Sequence, residues 1–169
     1  MKLIAPVVLS VLVVITSSAV ADDTLARFKG GIGVLPVSSG QGTATTATVV
    51  NRNIVRNVQP AGQPWVIGDL DATVKTDGTI QVRGRGLLIA GSNNIGTTVN
   101  ASVFASLLCA VNATTFSEHN TAAVPLAPNG DFVINDLLSP APAACSSPTL
   151  LIRNAGNLAW FAAGIPAVE

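Results

Sequence analysis

The stretch 65-WVIGDLDATVKTDGTIQVRGRGLLIA-90 decides the fold. Two β-prone runs flank Thr76-Asp77-Gly78, and in each run apolar residues recur at every second position. A two-residue Asp77-Gly78 turn would set Val74 beside Gln81 and Leu70 beside Arg85, mixing apolar and charged groups on one face. A three-residue loop puts Gly78 in the left-handed position of a type I turn with a bulge. Val74 then faces Ile80, Ala72 faces Val82, Leu70 faces Gly84 and Val66 faces Leu88. On the other face Asp71 meets Arg83, Asp69 meets Arg85 and Thr73 meets Gln81. A slip of one residue would turn one strand's apolar set to water, so the three-residue register is expected. It points Val66, Leu70, Val74, Ile80, Val82 and Leu88 inward.

The same register bears on chemistry. Asp69 and Asp71 share a strand face, a spacing that two carboxylates use to hold a divalent metal. An arginine opposite each one neutralises that site. Asp71–Arg83 and Asp69–Arg85 are therefore expected as structural cross-strand ion pairs, worth about 0.2–1 kcal/mol apiece. No cofactor and no metal is expected.

Upstream, Lys2, the apolar run Leu3 to Ile15 and the small residues Ala19-Val20-Ala21 form the pattern of a secretory signal, with cleavage after Ala21. Residues 1–21 are expected as the signal peptide and 22–169 as a single secreted or periplasmic β-domain. The apolar run is short for a membrane span of about 20 residues, so no stable membrane insertion is expected once the signal is cleaved. The charge is balanced, with 9 Lys and Arg against 9 Asp and Glu. Nucleic acid and polybasic membrane binding both need a cationic face, and neither is implied. Two cysteines in an oxidising compartment imply the disulfide Cys109–Cys145, worth about 3–4 kcal/mol for a loop of this size.

Phe28 to Val37 reads as a first strand with Phe28, Ile32 and Val34 on one side, and Pro36 suits its end. Ser38 to Gly42 reads as a turn, and Thr43 to Val50 is β-prone. Gln59 to Pro64 and Gly91 to Gly96 read as loops. Ala101 to Val111 fits helical spacing as well as a strand; strand is preferred because its surroundings are β. A second hairpin is expected around Pro128-Asn129-Gly130, pairing Leu126 with Phe132 and Val124 with Ile134. Pro-rich Leu138 to Ser147 reads as a crossing loop. A third hairpin turns at Asn154 to Asn157 and returns through Leu158 to Gly164. The whole is an all-β, single-domain antiparallel β-sandwich or closed barrel of about 8–10 short strands.

Few residues carry the pattern of catalysis. His119 is the sole imidazole, and it sits in a polar stretch expected as an exposed loop. It has no nucleophile elbow or free cysteine to serve. Glu118 with Asp131 or Asp136 would be the carboxylate pair of a hydrolase, without a spacing that supports it. Gly30-Gly31-Ile32-Gly33 resembles a phosphate loop, but Val-Leu-Pro-Val follows where a helix must start. Asn100-Ala-Ser102 and Asn112-Ala-Thr114 match the glycan-acceptor triplet. Leu158 to Ala163 is apolar at both parities. It is either a central strand buried on both faces or a surface where Trp160 and Phe161 meet a partner.

In size, export signal, two cysteines and Ala/Thr/Val/Gly richness the chain resembles fimbrial subunits. It departs from them in its late cysteines and in lacking a penultimate tyrosine. That resemblance implies a structural subunit of an extracellular assembly, with an unpaired apolar edge at Phe28–Val37 or Leu158–Gly164 and oligomers in solution. The residues themselves point to a small exported domain without catalytic machinery that acts by binding a protein or glycan partner.

Overall fold

The computed structural model describes residues 23–42 and 47–167. The expected signal segment 1–21 lies outside them. The fold is all-β, and no helix among the described residues is long and apolar enough to cross a membrane. The described residues form thirteen strands, β1 (Thr24–Gly33), β2 (Val37–Gly42), β3 (Ala47–Arg52), β4 (Trp65–Val66), β5 (Asp69–Lys75), β6 (Thr79–Arg85), β7 (Leu88–Ile89), β8 (Ser102–Ala110), β9 (Phe116–Asn120), β10 (Val124–Pro125), β11 (Phe132–Leu137), β12 (Thr149–Asn154) and β13 (Trp160–Pro166). The count exceeds the expected one because β4, β7 and β10 are two-residue pieces.

The β5–β6 register is the expected one. Asp69 pairs with Arg85, Leu70 with Gly84, Asp71 with Arg83, Ala72 with Val82, Thr73 with Gln81 and Val74 with Ile80. Gly78 has a φ of 88°, a left-handed conformation that a glycine adopts freely. Asp77 Oδ1 accepts the Thr79 N–H at 2.8 Å and closes the turn. Leu70, Ala72, Val74, Ile80 and Val82 are buried, as the alternation requires.

The alternation does not continue outward. Val66 pairs with Leu88 as expected, but Val66 is 50% exposed while Trp65, Leu87 and Ile89 are buried. Gly86, at a φ of 65°, turns the chain there, and Gly68 N–H bonds back to Arg85 O at 2.9 Å. The kink reverses the parity of both strands, so β4 and β7 form a small sheet of their own. A similar break occurs in β1. The register shifts between Phe28 and Gly31, and Gly30 has a φ of 85°. Ile32 is thereby turned to solvent while Phe28 and Val34 stay buried.

One antiparallel nine-stranded sheet runs β10-β8-β12-β13-β1-β5-β6-β11, with β9 also on β8. Its two ends curl toward each other. β10 and β11 are joined by the tight turn at Pro128 to Gly130, where Ala127 N–H bonds to Asp131 O at 3.0 Å. Ala122 N–H bonds to Asp136 Oδ2 at 2.7 Å. Asn120 and Ser139 exchange both backbone bonds, at 3.0 and 2.8 Å. The expected second hairpin is therefore present only as a discontinuous seam. β10 pairs with β8 and β11 pairs with β6, and Pro125 has no N–H to give a ladder. This curling into a half-barrel leaves the two end strands close to each other without a ladder between them.

Ala101 to Val111 is a strand: β8 pairs with β12 from Leu108↔Thr149 to Val103↔Asn154. The third hairpin forms too, with Leu151 opposite Ala163 and Ile152 opposite Ala162. β13 lies between β12 and β1, so Leu158–Gly164 is no edge. Cys109 and Cys145 are disulfide-bonded, with Cα atoms 4.8 Å apart. Ser38 to Gly42, expected as a turn, is instead strand β2, paired with β3.

Candidate functional site

Strands β8 and β12 and the first three residues of β13 are buried on both faces. Val103 to Cys109, Leu150 to Arg153 and Trp160 to Ala162 are all buried. The outer cover is the connection from Asn53 to Trp65. Trp160 N–H bonds to Gln59 O at 3.0 Å and Ala61 N–H to Trp160 O at 3.1 Å, so this connection takes over the edge that β1 leaves. Trp160 Nε1 donates to Asn53 O at 2.9 Å. Arg56 donates from Nη1 to Leu108 O at 3.0 Å and lies 4.8 Å over the Phe116 ring. Burial pushes the Arg56 guanidinium below its ordinary value.

Trp160 and Phe161 are thus not a surface. Each is 3% exposed, and Phe161 stacks on Trp65 with ring centroids 3.8 Å apart. Of the two alternatives for this apolar run, the central strand buried on both faces is the one formed.

A polar cluster lies on β8, β9 and β12. Arg153 is 6% exposed. Its Nε donates to Leu158 O at 2.8 Å, and its Nη1 donates to Ser106 Oγ at 3.2 Å and Glu118 Oε1 at 2.6 Å. Its guanidinium lies 5.2 Å from the Phe104 ring centroid. Asn120 Nδ2 donates to the same Glu118 oxygen at 2.9 Å. A buried cation needs this degree of satisfaction to be tolerated. Glu118 is therefore engaged with Arg153. Of its supposed partners, Asp136 accepts the Ala122 N–H and Asp131 accepts the Gly86 N–H. His119 is not an exposed loop residue. It is 7% exposed on β9, with Nδ1 at 2.7 Å from Pro140 O and Nε2 at 2.9 Å from Ser117 Oγ. The carbonyl oxygen can only accept, so Nδ1 carries the proton.

Asp69, Asp71, Arg83 and Arg85 lie on the open face of β5–β6. The pairs are in register, but among the described residues no ion pair within 4.0 Å joins them, unlike Lys75–Asp23 and Arg153–Glu118. Solvated long side chains gain too little to hold one geometry. Lys29 pairs with Asp71 from the other side, so Asp71 lies between two cationic strand neighbours. No group of three or more His, Cys, Asp or Glu among the described residues is placed to hold a metal ion.

Beside the cover lies a concave place that sequence spacing could not reveal. A cavity of about 210 Å³ is lined by Ala61, Gly62, Gln63, Trp65, Ile89, Asn94, Val99, Asn154, Asn157 and Phe161. Its apolar lining is the buried Trp65–Phe161 stack and Ile89 with half-exposed Val99, and its polar lining is four side-chain amides. The orientation of three of them is set by their neighbours. Asn154 Oδ1 accepts the Gly156 and Asn157 N–H groups at 2.6 and 3.3 Å. Asn157 Oδ1 accepts the Ala159 N–H at 3.1 Å. Gln63 Oε1 accepts the Ser92 hydroxyl at 3.0 Å. Backbone N–H groups only donate, so each asparagine turns its oxygen to the turn and its NH₂ away. No acid and no cation lines the cavity. Amide donors beside an apolar lining suit a neutral ligand rich in acceptor oxygens.

Compared with known proteins, the chain matches no family model, no curated protein and no solved structure.

Proposed function

We propose that this is an exported, non-catalytic β-domain that binds a small neutral ligand of the saccharide class at the amide-rimmed cavity. One observation carries the reading. The cavity gathers Gln63, Asn94, Asn154 and Asn157 around buried aromatic and aliphatic side chains, with no ionisable group among its lining. Sugar hydroxyls accept from amide NH₂ groups, and a small apolar group such as an acetamido methyl fits against half-exposed Val99 and the accessible edges of the apolar lining. Export is supported by the Cys109–Cys145 disulfide, which belongs to oxidising compartments.

The test is a glycan array followed by calorimetric titration of the hits. Wild-type protein is expected to bind neutral glycans in preference to charged ones. Asn94→Ala and Asn157→Ala should each weaken binding about tenfold, the loss of one or two ligand hydrogen bonds. Asn94→Ala should leave the unfolding midpoint in place, whereas Asn157→Ala also removes the acceptor of the Ala159 N–H and should cost about 1 kcal/mol. Binding that survives both substitutions, or no binding to any neutral glycan, would refute the assignment.

A further inference from the structure

Strands β2 and β3 form a two-stranded sheet separate from the main one. They leave the body at a fixed root. Val34 N–H bonds to Phe161 O at 2.9 Å, Trp65 N–H to Val34 O at 3.0 Å, and Asn53 N–H to Pro36 O at 3.1 Å. Beyond the root, Val37 to Gly40 and Val50 to Arg52 are all exposed. The ladder is regular at its centre, with Ser39 opposite Asn51, Gly40 opposite Val50 and Gln41 opposite Val49, and irregular at both ends. A lone two-stranded ribbon in water is marginal, because it has no covered face.

The edges of such a ribbon present unpaired backbone N–H and C=O groups, and the chemistry that satisfies them is another strand. Proteins usually defend such edges with lysine, proline or acidic side chains. Between Val37 and Arg52 this chain has no Pro, Lys, Asp or Glu; Arg52, at the root, is the sole charge. The main sheet, in contrast, spends its two ends on its own seam. Around the root Ile32, Leu35, Val37, Ile54 and Val66 are exposed. Val66 adjoins Gly33, where an added Cβ would meet the Trp65 and Val66 backbone.

We propose that this arm pairs edge to edge with the arm of a second copy of the chain, related by a two-fold axis. Two antiparallel edges of identical sequence are self-complementary under that symmetry. An arm with one cation at its root brings no like charges together at its centre. The apolar root residues flank the added strand and lose water as it forms. A contact of one strand plus this flank falls below about 1,200 Å² in total, the range of weak, concentration-dependent association.

Sedimentation velocity on the purified protein, from micromolar to several hundred micromolar, tests the pairing. The wild-type sedimentation coefficient should rise with concentration to that of a dimer. Ser39→Lys combined with Val50→Lys adds like charges to each arm and should raise the dissociation constant at least tenfold. Intrinsic fluorescence of the buried Trp65 and Trp160 checks that the body still folds. A wild-type protein that stays monomeric throughout, or a lysine variant that dimerises as well as wild type, would overturn the proposal.

Discussion

Strands β5 and β6 bury every second residue, whereas β8 and β12 bury most of theirs and β13 buries its first three in a row. The difference lies in what covers each side. The outer face of β5–β6 meets water and carries Asp69, Asp71, Thr73, Gln81, Arg83 and Arg85. The outer face of the central strands lies under Asn53 to Trp65. On the open side polar groups are solvated and interact weakly. On the covered side every polar group needs a protein partner, which is why Arg153 makes its three kinds of contact. Both sides carry a hollow of similar size: the one on the open face, about 220 Å³, is lined by charged and polar side chains such as Asp71, Gln81 and Arg83, whereas the candidate binding cavity beside the cover has no ionisable group in its lining.

Four substitutions can break this contrast. Arg153→Ala, on the covered side, should cost about 3 kcal/mol, since it leaves Leu158 O and Ser106 Oγ without a donor. Urea unfolding followed by tryptophan fluorescence measures it, and an unchanged midpoint would show that the cluster contributes no stability. Gly84→Ala comes next. A Cβ at Gly84 would overlap the Phe132 ring, and overpacking of this kind costs about 1–3 kcal/mol. It shows that the hairpin is tolerant on one face alone.

Asp71→Asn should change stability by less than about 0.5 kcal/mol; a loss several times larger would mean that the open-face charges hold the sheet. The smallest effect concerns Asp77. Its hydrogen bond from Thr79 N–H holds its carboxyl below its ordinary value. A depressed value stabilises the fold above the unfolded carboxylate range and loses that contribution as pH falls through the folded value. The stability gap between wild type and Asp77→Ala should therefore narrow on acidification, and a gap independent of pH between 7 and 2 would contradict it.

The contrast also explains what was legible in the sequence. Period-two alternation with a Thr-Asp-Gly loop sufficed to set the hairpin register residue by residue. It failed at Val66 and Leu88 because one glycine kink reverses parity without leaving an apolar or polar signature. The apolar run Leu158 to Ala163 allowed two readings, since a strand covered on both faces and a strand facing a partner have the same composition. Arg153 and His119 were missed as buried residues because polar residue types are read as exposed until their partners are known. The cavity joins residues near 61–65, 89–99 and 154–161, and no local pattern links those segments.

The seam where the sheet meets itself has a dynamic consequence. Ala127–Asp131, Ala122–Asp136 and the Asn120–Ser139 pair hold it by a handful of bonds, while β8–β12 is a six-residue ladder. Regions with fewer backbone bonds open at lower free energy than the global transition. In native-state hydrogen exchange the amides of Ala122 and Ala127 should exchange well before those of Leu107 and Ile152. Equal protection would mean that the sheet opens only as a whole. A protein that opens along this line stays folded around the disulfide strand, so its first excursion from the native state is an unzipping rather than a collapse.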